Sequence, residues 1–109
     1  MPKVLTDEQL DQWDRDGAVW PVDLLTAEEA ADYTRRFEAL EASMETEAQA
    51  RFRMKAHLPF PWLWDLVMHR RLADAIEDII GPNIECWGSS FFTKKAHDPR
   101  FISWHQDST

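Results

Sequence analysis

The sequence predicts an α+β chain, with helices over residues 1–80 and β-like runs over 83–109. Three patterns carry this. Thr6 with Gln9, and Thr26 with Glu29, each form the Thr-x-x-Gln/Glu box that marks a helix start. Leu72, Ala75, Ile76, Ile79 and Ile80 recur at i, i+3, i+4, i+7 and i+8, the apolar stripe of a core-facing helix. After Asn83 the apolar period drops to two. No segment repeats and none is of low complexity, so one domain over 1–109 is expected.

The first helix begins behind Thr6, where the hydroxyl and the Gln9 amide can satisfy orphan N–H groups. Asp7 and Glu8 suit the positive end of its dipole, Leu10 and Trp13 give it an apolar face, and Gly17 ends it. Ala18 to Val22 reads as extended, with Pro21 at an edge or strand end. Behind Thr26, the residues Ala30, Tyr33, Phe37, Leu40 and Met44 lie at helical spacing, with Glu28, Asp32, Arg35 and Glu38 on other faces. Glu45 to Arg53 is polar, a helix end plus loop. Leu58-Pro59-Phe60-Pro61 is a stiff connector, since each proline fixes its own backbone and biases the residue before it. A short helix follows over Trp62 to Met68, and Gly81-Pro82 closes the helix that carries Leu72 to Ile80. In the first β-like run Ile84, Cys86, Gly88, Ser90 and Phe92 share one face, while Glu85, Trp87, Ser89, Phe91 and Thr93 share the other. Lys94 to Arg100 is a polar turn region, and Phe101 to Asp107 forms the second run. The chain stops at Thr109 with no turn, cap or polar tail, and is expected to be truncated from a longer sheet.

Hydrophobic residues make up 44% and charged residues 29%, a globular balance rather than a disordered one. Six tryptophans and six phenylalanines are a large apolar payload for 109 residues, and a chain this short buries only a modest share of its surface. Some of those rings are therefore expected to face a partner segment. The net charge of -8 repels phosphate backbones, and the basic residues are scattered, so neither nucleic acid nor an anionic membrane is an expected partner. Cys86 is the only cysteine, which excludes an intramolecular disulfide and suggests a buried, reduced thiol. The first residues lack the apolar core of a signal peptide, and no run is long enough to span a bilayer, so a cytoplasmic location is expected. No phosphate-binding loop, dinucleotide glycine pattern, zinc-type cysteine spacing or nucleophile elbow is present.

His105-Gln106-Asp107 carries the chemistry. Residues i and i+2 of a strand point to one face, so His105 and Asp107 can converge on a metal while Gln106 faces away. An imidazole and a carboxylate are two thirds of the facial triad that holds non-haem Fe(II) with open positions for co-substrate and oxygen. Taken alone, the tripeptide is more often a hydrogen-bonded surface pair than a metal site. Its surroundings add to it. Trp104-His105-Gln106-Asp107-Ser108-Thr109 resembles the first metal-ligand segment of the phytanoyl-CoA dioxygenase family. The resemblance continues upstream through Phe91-Phe92-Thr93-Lys94, Gly81-Pro82-Asn83-Ile84, Leu66 to Ile80, Asp16-Gly17 and the opening Thr6-Asp7-Glu8-Gln9, in the family's order.

The resemblance implies the N-terminal part of one such domain: helices over 1–80, then the first core strands of a double-stranded β-helix, a jelly-roll or cupin-like fold, over 83–109. It implies Fe(II) held by His105, Asp107 and a distal histidine. It also implies 2-oxoglutarate as co-substrate, clamped by an arginine beyond that histidine, and hydroxylation of a small organic substrate with release of succinate and CO2. The distal histidine and arginine would lie in the remainder of the domain, C-terminal to Thr109, so the chain alone would be inactive. Related halogenases carry a small residue at the position of Asp107, and its carboxylate speaks for hydroxylation. Lys55, Ser90 and Gln106 fall where relatives contact the co-substrate, although Ser90 is smaller than the side chain expected there. His57 could line the pocket entrance but reads first as a loop or helix-edge residue, His69 and His97 read as exposed helix-end and turn residues, and Trp62, Trp64, Trp87 and Trp104 as core rather than cofactor-stacking groups. Two other readings remain at this point: a non-catalytic acidic helical module that binds a protein partner, and a non-enzymatic relative that keeps the motif as structure.

Overall fold

Among the described residues five helices form: α1 (Asp7–Asp16), α2 (Ala27–Ala42), α4 (Pro61–Val67) and α5 (Arg70–Ile80), where the sequence predicts helices, and α3 (Ala48–Arg51), one turn inside the stretch expected to be a helix end plus loop. They come from a computed structural model that describes residues 1–107. Ser108 and Thr109, which close the second predicted strand and the metal-ligand motif, lie outside the described residues. Both capping boxes are complete. The Gln9 N–H donates to Thr6 Oγ1 at 3.1 Å while the Thr6 N–H donates to Gln9 Oε1 at 3.0 Å, and Thr26 with Glu29 repeats the exchange. Gly17 ends α1 at φ 69°, a left-handed conformation that glycine adopts without Cβ strain. Pro61 occupies the first turn of α4, where its missing N–H costs nothing.

The N-terminal segment is strapped across the chain onto α5. Asp78 accepts from the backbone N–H groups of Lys3, Val4 and Leu5 at 2.7, 2.8 and 2.9 Å. These donors, Leu5 first, hold its carboxyl below the usual range. Leu5 is buried, and so is Ala75 on the inner face of α5. Leu72, Ile76 and Ile79 are half-buried, but Ile80, predicted in the same stripe, is 62% exposed because it sits on the last turn beside Gly81. Residues 18–25 are irregular; the Gln9 amide donates to the Pro21 carbonyl and Arg71 Nε to the Asp23 carbonyl.

The centre is aromatic. Phe91 lies 5.2 Å from Phe37 on α2 and 6.4 Å, centroid to centroid, from both Phe52 and Trp62. Phe52 meets Phe60 edge-on at 4.9 Å, a favoured arrangement for ring quadrupoles. The side chains buried most deeply are small, Ala48 and Ala56 among them.

The predicted strands do not form: among the described residues the chain is helical and irregular, which corrects the α+β expectation and gives no β-helix or jelly roll. The period-two signal is nonetheless physical. Ser89, Phe91 and Thr93 turn inward while Ser90 and Phe92 turn out, as an extended backbone requires. A strand also needs a partner ladder for its N–H and C=O groups. Here the run is held by single bonds, from the Ala56 N–H to the Ser89 carbonyl and from the Thr93 N–H to Gln49 Oε1. Residues 101–107 are exposed throughout, and Trp87 and Trp104, expected in a core, are 76% and 104% exposed. Cys86 is exposed rather than buried. No helix among the described residues is long and apolar enough to cross a membrane.

Candidate functional site

His105 and Asp107 converge as their spacing requires: Nε2 of the imidazole lies 3.2 Å from Oδ1 of the carboxylate. Nδ1 of His105 lies 2.9 Å from the Ser103 carbonyl. A carbonyl only accepts, so Nδ1 carries a proton and donates, and in the neutral ring Nε2 presents its lone pair toward Asp107. Both side chains are open to solvent, and two facing acceptors suit a cation held between them. The donor set, one imidazole nitrogen held by a backbone carbonyl and one carboxylate oxygen, fits two positions around a divalent metal. Among the described residues no third histidine, cysteine or acidic side chain joins them.

Among the described residues the three expected at the co-substrate, Lys55, Ser90 and Gln106, are not brought into contact with this pair by any hydrogen bond. Lys55 is exposed and adopts a left-handed φ of 53° at the turn before His57. Gln106 is exposed beside the pair. Ser90 lies on the wall of a different feature, a cavity of about 430 Å3 between α2, α4 and the 89–93 run. That volume falls in the range of small-molecule sites, roughly 300–1,000 Å3. Tyr33, Phe37, Trp62, Leu66 and Phe91 line it with Thr34, Ser89 and Thr93 among the polar groups, and neither His105 nor Asp107 does.

His57, read from the sequence first as a loop or helix-edge residue and second as one that could line a pocket entrance, takes the second place. It is 5% exposed and lines the cavity, with its ring 5.9 Å from that of Trp64. Its backbone N–H donates to Ser89 Oγ at 3.1 Å, and its Nδ1 lies 2.5 Å from the same oxygen. The available signals were Ala56 and Leu58 on either side of it and Ser89 on the inward face of the period-two run. Neither pairs across 32 positions without the fold. His69, expected to be exposed, is half-buried at the start of α5 with Nε2 3.3 Å from Glu29 Oε1, whereas His97 is exposed in its turn as expected.

No curated protein and no solved structure matches the chain. The profile of the phytanoyl-CoA dioxygenase family (PhyH) matches residues 13–109, which take in the central helices, the cavity-forming 89–93 run and the His105–Asp107 pair. The chain therefore belongs to the phytanoyl-CoA dioxygenase family, a family of Fe(II)- and 2-oxoglutarate-dependent dioxygenases.

Proposed function

We propose that the chain forms the iron-binding part of a dioxygenase that hydroxylates a small organic substrate. The observation that carries this is the His105–Asp107 pair at 3.2 Å, inside the segment that matches the family. When bound, Fe(II) with 2-oxoglutarate supplies the oxidation, releasing succinate and CO2. His105 binds through Nε2, oriented by its Nδ1–H bond to the Ser103 carbonyl, and Asp107 supplies the anionic ligand. Lys55 offers the dicarboxylate a positive charge, and Ser90 and Gln106 offer it hydrogen-bond donors. A facial triad needs a third ligand, and the co-substrate a further cation. Both are assigned to chain of the same domain C-terminal to Thr109.

The test is turnover in the protein that carries this segment with its completing chain. His105→Ala and Asp107→Ala are each expected to lower succinate formation by at least about 100-fold, the upper end of what losing even an outer-shell partner costs. Succinate formed at the unsubstituted rate by either variant would refute the assignment. Lys55→Ala is expected to raise the 2-oxoglutarate concentration needed for half-maximal rate.

A further inference from the structure

Hydrogen bonds stitch the turn at residues 55–57 to the 89–93 run. The Ala56 N–H donates to the Ser89 carbonyl at 3.1 Å. The His57 N–H donates to Ser89 Oγ at 3.1 Å, and His57 Nδ1 lies 2.5 Å from that same oxygen. A hydroxyl can accept twice, or accept once and donate, so both contacts are satisfied in either tautomer of the ring. Ala56 and His57 are 2% and 5% exposed, which leaves little water to compete for these bonds.

The residues next to the stitch are the ones it holds. Lys55, immediately before Ala56, has a left-handed φ of 53°. That conformation is unfavourable for a residue with a Cβ and persists where its surroundings over-determine it. The Lys55 carbonyl accepts from the Leu58 N–H at 3.0 Å, which closes the turn, and the bonds of Ala56 and His57 tie that turn down. On the other side, Ser90 immediately follows Ser89. Successive residues of an extended run point to opposite faces, so fixing Ser89 Oγ fixes the direction of Ser90. Lys55 and Ser90 are both exposed, open to a ligand.

We infer that His57 and Ser89 are positioning residues for 2-oxoglutarate: their clamp places the Lys55 ammonium and the Ser90 hydroxyl for the co-substrate. They act through those two neighbours, so the clamp rests on the reading of Lys55 and Ser90 as co-substrate contacts.

The experiment has two arms. The first uses the protein that carries this segment with its completing chain. Ser89→Ala and His57→Leu are each expected to raise the 2-oxoglutarate concentration for half-maximal rate about tenfold, the worth of one net hydrogen bond, with kcat largely kept. His57→Asn, whose amide can reach Ser89 Oγ from the place of Nδ1, is expected to recover most of that loss. In a protein already carrying Lys55→Ala and Ser90→Ala, adding Ser89→Ala is expected to change the requirement by less than about threefold, since coupled residues are not additive. The second arm needs no turnover: NMR of the metal-free chain. Ser89→Ala is expected to shift the Lys55 Cα resonance away from its left-handed value and to speed amide exchange at Ala56 and His57. An unmoved Lys55 resonance, a kcat that falls as far as the requirement rises, or a full effect of Ser89→Ala without Lys55 and Ser90 would each overturn the clamp. A rise with Lys55→Ala and Ser90→Ala but none with Ser89→Ala removes the clamp alone. No rise with Lys55→Ala or Ser90→Ala removes the contacts, and the clamp with them. If His57→Leu does not fold, the smaller change Ser89→Ala decides.

Discussion

Arg100 bridges two carboxylates from different parts of the chain. Its guanidinium donates to Asp98 at 2.9 and 3.0 Å and to both Glu47 oxygens at 3.1 and 3.2 Å. With its backbone N–H added, it pulls the Asp98 carboxyl down to about 2 and lowers that of Glu47. A depressed carboxyl stabilises the fold above its unfolded value, about 3.9 for aspartate, and that contribution is lost as pH falls through the folded value. The Asp98–Arg100 pair that shapes the 98–100 turn should therefore hold at pH 5 and loosen between about pH 4 and pH 2. The Glu47 link to the start of α3, its carboxyl also lowered, should be lost only below the ordinary glutamate range. An NMR titration of the Asp98 side chain checks this. The midpoint is expected near 2, moving back toward the ordinary aspartate value in Arg100→Ala; a midpoint near 4 in the unsubstituted chain would contradict the geometry. At this scale the convergence of His105 and Asp107 was legible because two residues apart in an extended run is a local relation. The burial of His57 and its pairing with Ser89 were not, because that partner lies 32 positions away and depends on how the 89–93 run folds back.

Among the elements, the helices were legible because their signals are local and reciprocal. The Thr26–Glu29 box predicts its own two hydrogen bonds, and both are present. Thr26→Ala removes the acceptor for the Glu29 N–H and is expected to cost about 1 kcal/mol of unfolding free energy in urea. A change within a few tenths of a kcal/mol would mean that packing of Tyr33 and Phe37, not the cap, sets where α2 starts. The 83–107 stretch shows the opposite case. Alternation at Ser89, Phe91 and Thr93 correctly reports an extended backbone with one packed face. A ladder is a long-range property, and nothing in a period of two names the partner strand. The same limit explains Ile80, which keeps the stripe's spacing but reaches past the surface the stripe covers.

In the whole molecule, the aromatic cluster around Phe91 and the strap from Lys3, Val4 and Leu5 to Asp78 gather the helices. The His105–Asp107 pair projects from the exposed 101–107 stretch. Neither His105 nor Asp107 lines the cavity, so metal binding at the pair, if the proposal holds, should be readable without it. The most direct measurement is an anaerobic Fe(II) titration of the chain labelled with 15N-histidine. The His105 Nε2 resonance is expected to broaden first, ahead of His57, His69 and His97. Asp107→Ala is expected to weaken the titration about tenfold or more, as loss of an anionic ligand requires. Earlier broadening of any other histidine, or an Asp107→Ala titration that overlays the original, would contradict the assignment of His105 and Asp107 as the iron ligands.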